Sequence, residues 1–197
     1  MRSKFFALMS RMKYIQRWGL MHSTTQENIA EHSLQVSWVA HALACIENRL
    51  NGTNYDACRI GMIGAYHETS EVITGDLPTP IKYFSPEMAQ AYKQVEAIAQ
   101  NRIIATLPSL LSDDIGLLIQ PSEDEKRIVK YADKLTAYIK CIEETKVNNT
   151  EFDNAKNTIE KELREYNSNS VNYFLDTFIE GYSLTLDELT DNHDNEQ

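Results

Sequence analysis

Five side chains combine the types and spacing that chemistry needs: His32, His67, Glu68, Glu71 and Asp133. Neutral imidazole and carboxylate together suit a borderline divalent ion such as Mn, Co, Fe or Zn, with Mg a further candidate. His67 and Glu71 are four residues apart and Glu68 and Glu71 three apart. One helical face can therefore offer metal ligands and, a turn on, a carboxylate within reach of water acidified by that metal. This is the layout of metal-assisted hydrolysis with a general acid/base beside the metal. Taken singly, each residue has a quieter explanation: His32 as a packed histidine, Glu68 and Glu71 as solvated helix charges, Asp133 as a salt-bridge partner of Lys130 or Lys134. What singles them out is their order, a His on one helix, a His-acid pair on the next and an Asp on a third. His22, His41 and His193 show no such pattern.

A phosphate would find its cation at the start of the chain. Arg2, Lys4, Arg11, Lys13 and Arg17 all precede the first acid, Glu27. Four of these read as a solvated helix face. Arg17 differs, because it ends the first helical stretch beside Trp18 and close in sequence to His32, and arginine can grip a phosphate bidentately. Trp18 fits either a core position or a surface beside the ligand.

The elements that must position these groups read as helices nearly throughout. Residues 3–16 form a first helix, followed by an irregular connection over 17–26. Asn28 with Glu31 is a capping box that opens a long helix to about Asn48, with Leu34, Trp38, Val39, Leu43 and Ile46 on its apolar face. Asp56 caps a third helix that ends near Gly75. The prolines exclude Leu77-Pro78-Thr79-Pro80 from a helix interior. Pro86 opens a helix to about Thr106, and a shorter one follows Pro108. Ser122 with Glu125 caps another to about Lys146, whose stripe is Ile128, Ala132, Leu135, Ile139 and Ile142. Two more fit 150–166 and 169–181. Asp133 lies beside the stripe, and an aspartate in a helix interior that is partly buried needs a partner.

At 197 residues, 42% of them hydrophobic and 24% charged, the chain can bury a core of its own. Only 7 Gly and 5 Pro disfavour an all-β fold. The expectation is all-α: one domain over 1–186 and an acidic, disordered tail over 187–197. A net charge of −10 excludes a general coat for nucleic-acid polymers. No stretch has the apolar length of a membrane span. Cys45, Cys58 and Cys141 are odd in number and widely spaced, which reads as reduced, buried thiols and a cytoplasmic location.

The ordered set His32, His67-Glu68 and Asp133 resembles the HD-domain phosphohydrolases, whose ligands are His, His-Asp and a distant Asp. Arg17-Trp18, Glu31-His32-Ser33-Leu34-Gln35-Val36, and the run from Glu71 to Pro80 are similar to the bacterial 5′-deoxynucleotidases of the YfbR type. Lys82-Tyr83-Phe84 and Tyr131-Ala132-Asp133 extend the similarity over nearly the whole chain. The resemblance implies a helical HD-domain fold and a homodimer that releases phosphate from deoxyribonucleoside 5′-monophosphates with weak base selectivity. His32, His67, Glu68 and Asp133 would hold the metal, Glu71 would be the general acid/base and Arg17 would orient the phosphate. Trp18 with Asp76, Leu77, Pro78 and Thr79 would place the deoxyribose. One departure stands out: Glu68 replaces the Asp of the family's His-Asp pair and is one methylene longer. Two rival readings stay open: a deoxynucleoside triphosphohydrolase, which the resemblance to related HD proteins also implies, and a non-catalytic nucleotide-binding module that has kept the fold, which Glu68 keeps open.

Overall fold

The computed structural model describes residues 2–191. The central helix, Ile29–Asn51, starts where the sequence marks it. Asn28 Oδ1 accepts from the backbone N–H groups of Ala30 and Glu31, both at 3.0 Å, and Glu31 Oε2 accepts from Asn28 N at 3.2 Å. It ends at Gly52, whose φ of 65° is the left-handed conformation that glycine adopts without strain. In chain order the α-helices are α1 Phe5–Met9, α2 Ile29–Asn51, α3 Ala57–Tyr66, α4 Glu71–Thr74, α5 Thr79–Lys82, α6 Pro86–Ile104, α7 Ser109–Ile119, α8 Glu123–Lys146, α9 Asp153–Glu165, α10 Asn169–Phe178 and α11 Leu186–Thr190. The described residues contain no strand, only one isolated bridging pair, Gln16 with Asn28.

The main core joins α2, α3, α8 and α10, with Leu163 of α9. Val36, Leu43, Ile60, Ile63, Ile128, Leu135, Ile139 and Val171 are all nearly or fully buried. The five stripe residues expected on α8 are buried as a set. A second cluster places Phe5 against Ile103, Leu107 and Ile119. No helix of the described residues is long and apolar enough to cross a membrane.

Several expectations are corrected. The helix expected over 3–16 is two pieces, α1 and a 3-10 turn over Met12–Tyr14. Phe5 packs on α6 and α7 while the turn packs on α2, so two different neighbours bend the chain off one axis. The third helix stops at Tyr66 rather than Gly75. Both the backbone N–H and the hydroxyl of Thr69 turn to the Tyr66 carbonyl, a local competition that tightens residues 67–70 into a turn. The proline segment does stay out of a helix interior: α5 starts inside it, with Pro80 in its first turn, where no N–H is required. On α2, Leu34 and Trp38 point outward and are 50% and 63% exposed, because the buried stripe runs through Val36, Val39, Ala40 and Leu43. Cys45 and Cys58 are exposed on the outer faces of α2 and α3, and only Cys141 is buried. α11 covers the first residues of the expected tail; residues 192–197, with His193, lie outside the described residues.

Candidate active site

His32 is carried inward by the packing of α2. It lies one turn after the Asn28 cap, on the same stripe as Ile29 and Val36, and is fully buried. α3 lies antiparallel against α2 and approaches closely through its glycines: a Cβ at Gly64 would sit 2.9 Å from Ser37 Cα. That contact sets the end of α3, and therefore His67, beside His32, with ring centroids 5.3 Å apart. α8 supplies Asp133 from the third side, where its Oδ1 lies 3.0 Å from His32 Nε2. Glu68 Oε1 is 3.3 Å from His67 Nε2. One ligand atom from each of His32, His67, Glu68 and Asp133 lies within 4.8 Å of all the others.

This donor set fits a divalent metal. His67 Nδ1 lies 2.7 Å from the Gly64 carbonyl, which can only accept, so Nδ1 carries the proton and donates. Nε2 is buried, makes no well-aligned hydrogen bond among the described residues although Glu68 Oε1 lies 3.3 Å away, and faces the cluster, as a metal-ligating histidine does. Ligand bonds of about 2.1 Å place neighbouring donor atoms about 3.0–3.4 Å apart. The His32–Asp133 and His67–Glu68 separations, 3.0 and 3.3 Å, match that spacing. The extra methylene of Glu68 does not carry its carboxylate out of the cluster.

The electrostatics divide the carboxylates. Burial works to raise Asp133, but the hydrogen bond and charge of His32, with His67 and Arg17, hold it well below the usual carboxylate range. Burial is likewise overcome at Glu68, which the charge of His67 holds down to about 2. Glu71 is the opposite case. It is buried, and burial together with the charges of Glu68 and Asp76 pushes it up to about 10, with Arg17 opposing. Two carboxylates three residues apart are thus shifted in opposite directions, Glu68 down and Glu71 up. Burial and the charge of Arg17 lower His32.

Arg17 lies against this cluster. Its NH2 is 3.9 Å from Asp133 Oδ1, and its NH1 is 2.8 Å from both His32 Nδ1 and Glu27 Oε2. Trp18 adopts a φ of 61°, an uncommon conformation for so large a residue. Its indole N–H donates to Glu27 Oε2 at 3.0 Å and its ring packs 5.3 Å from Phe152. The segment between Trp18 and α2 is tied to α8: Thr24 N, Thr24 Oγ1 and Thr25 N donate to the buried Glu144 carboxylate, and Lys140 Nζ donates to Thr25 O. Asp76 follows Gly75 at the cluster's edge and is raised by burial against the lowering charge of Arg17. Leu77 and Pro78 are half-buried and Thr79 is exposed. None of these three makes a side-chain hydrogen bond to the cluster.

Glu27 is the site residue that sequence reasoning passed over. Its only signal was position, an acid ending the basic N-terminal segment and directly preceding the Asn28 cap.

The chain matches the family described as 5′-deoxynucleotidase YfbR-like over residues 4–182. It belongs to that family. A protein named 5′-deoxynucleotidase from Vibrio cholerae is 50% identical over 191 residues, 95% of this chain and 98% of its own length. The YfbR 5′-deoxynucleotidase of Photorhabdus temperata is 49% identical over 95% of this chain and 97% of its own. Among solved structures, an HD-domain phosphohydrolase from Listeria innocua superposes with a TM-score of 0.78 at 22% identity, covering 91% of this chain and 88% of its own. The HD phosphohydrolase DatZ of cyanophage S-2L, bound to dA and one catalytic Zn2+ ion, gives 0.64 at 18% identity, covering 89% and 96%. These two establish the HD-domain fold for this YfbR-like chain, and the family membership makes it a phosphohydrolase.

Proposed function

We propose that this YfbR-like protein is a metal-dependent 5′-deoxynucleotidase that hydrolyses deoxyribonucleoside 5′-monophosphates to deoxynucleoside and phosphate. The observation that carries the reading is the convergence of four metal-type donors with the Arg17 guanidinium and the buried carboxyl of Glu71. His32, His67, Glu68 and Asp133 hold the ion, for which Mn, Co, Fe, Zn and Mg are the candidates. A divalent ion held there supplies Lewis acidity toward the phosphoryl oxygens and acidifies water at the site. Arg17 binds the phosphate and offsets its repulsion by the carboxylates. Glu71, whose proton burial and the neighbouring carboxylates help to retain, gives it to the leaving 5′-oxygen, and its conjugate base can then accept one from water. Trp18 and the Asp76, Leu77, Pro78, Thr79 segment bound the sugar and exclude a 2′-hydroxyl.

The names and near-complete coverage of the relatives favour the monophosphate reading over a triphosphohydrolase or a non-catalytic module. A phosphate-release panel with dAMP, AMP and dATP, repeated with Mn, Co, Mg and Zn, tests it. Inorganic phosphate from dAMP, at a rate at least about tenfold above that from AMP, is the expected result. Tripolyphosphate from dATP as the main product would overturn it, and equal rates on AMP and dAMP would remove the sugar role of Trp18 and the loop. We further propose a homodimer of cytoplasmic enzyme. The exposed Leu34, Trp38 and Phe178 beside an apolar cleft of about 310 Å³ support an interface on this face. Light scattering of the purified protein decides between monomer and dimer.

A further inference from the structure

Glu27 is buried at 7% exposure, yet it is a carboxylate with no role in the metal set. Its Oε2 accepts both Arg17 NH1 and Trp18 Nε1, and its Oε1 stands 3.9 Å from His32 Nδ1. The same His32 nitrogen is 2.8 Å from Arg17 NH1. A guanidinium can only donate, so Nδ1 accepts and the ring proton sits on Nε2, donated to Asp133 Oδ1 at 3.0 Å. That tautomer has no lone pair to offer a metal at Nε2. Ligation there needs the proton on Nδ1, and an Nδ1–H cannot face an arginine N–H at this distance.

Two acceptors border Nδ1: the Glu27 carboxylate, and the Thr136 hydroxyl at 3.5 Å, whose proton is already given to the Asp133 carbonyl. Glu27 is the charged one, and charge-assisted hydrogen bonds are the stronger. We propose that Glu27 is a positioning residue that couples the metal cluster to the phosphate-binding arginine. On metal binding, its Oε1 takes the hydrogen bond of His32 Nδ1–H. Arg17 leaves that nitrogen and stays tethered to Oε2 beside Trp18 through one NH1 hydrogen, which frees the other for a phosphate. The inference rests on the metal reading of His32. It adds that one carboxylate sets the histidine tautomer and holds the substrate-facing side chains.

Zinc alone, titrated into metal-free full-length protein, tests the two ideas separately. Glu27→Gln keeps the shape but cannot accept on both sides at full charge, and it should weaken zinc binding by about 10–100-fold, the usual effect of losing a ligand's supporting hydrogen bond. Thr136→Val should stay within about threefold of wild type, and circular dichroism confirms that both variants fold. Nitrogen-15 shifts of the His32 ring provide a readout that needs no variant: an Nε2–H tautomer without metal and an Nδ1–H tautomer with zinc. An Nδ1–H tautomer already present without metal, or a Thr136→Val loss that Glu27→Gln does not share, overturns the inference. If His32→Ala leaves zinc affinity unchanged, the metal reading itself fails. If His32→Ala abolishes binding and Glu27→Gln does not weaken it, only the role of Glu27 fails.

Discussion

Replacing Glu71 by Gln should stabilise the metal-free protein at neutral pH, and the size of the gain follows from where the carboxyl sits. Glu71 is 6% exposed, and burial with the charges of Glu68 and Asp76 raises its pKa to about 10. Folded protein therefore holds it protonated at pH 7, while the unfolded chain ionises it near its ordinary value of 4.5. A folded pKa above the unfolded one gives stability that is fully present below pH 4.5 and is lost as pH rises toward 10. At pH 7 the loss is set by the unfolded titration alone, about two and a half units at about 1.4 kcal/mol each, or roughly 3–4 kcal/mol. Gln has the same size, offers an N–H donor where the carboxyl offers O–H, and has no proton to lose. An unfolding entropy of about 2.1 cal/mol/K per residue gives this chain about 0.4 kcal/mol/K, so the substitution should raise Tm by about 8 °C. Melting curves by circular dichroism in chelator, at pH 4, 5.5 and 7, measure it. The gap should be near zero at pH 4 and widest at pH 7. A Tm at pH 7 equal to or below wild type, or a gap that does not change with pH, would refute the assignment of a protonated Glu71 and remove the basis for its role as the acid.

Three further outcomes follow from the site. His32→Ala and Asp133→Ala should each lose bound metal after dialysis, read by elemental analysis, with helicity unchanged; full metal occupancy in either would take that residue out of the ligand set. Glu68→Asp withdraws the carboxylate by about 1.5 Å, the length of one C–C bond, against a metal-site tolerance of about 0.2 Å. Metal titration should show binding at least about tenfold weaker, and tighter binding would mean that Glu68 is strained rather than accommodated. Gly64→Ala drives a methyl to 2.9 Å from Ser37 Cα, so α2 and α3 must part. A stability loss of about 1–3 kcal/mol and weaker metal binding are expected as His67 retreats from His32, and an unchanged Tm would show that the helices do not meet this closely.

Local signals carried much of this structure. The capping boxes at Asn28 and Ser122 mark where α2 and α8 begin, because each depends on side chains three residues apart and on nothing distant. The α8 stripe was legible for the same reason. The site residues were legible as types: a buried polar side chain next to an apolar stripe announces a partner, although not which one. Other features were hidden because they depend on what packs opposite. Trp38 has the character of a core residue and lies outside because the stripe that meets α8 runs through its neighbours.

Helix periodicity and caps are properties of a few consecutive residues, so the chain order His, His-acid, Asp and the helices that bear His32 and Asp133 could be read from the amino acids, whereas the turn that carries His67 and Glu68 could not. Distances between groups far apart in sequence could not. The small Gly64 surface lets α3 close on α2, and that approach brings His67 to His32, 35 residues away, while α8 returns Asp133, 101 residues away, to the same point. Only there do burial and two other carboxylates push Glu71 up, and only there does Glu27 reach both Arg17 and His32. Protonation and tautomer are set by fields and contacts that fall off within a few ångströms, so folding, which creates those distances, decides them.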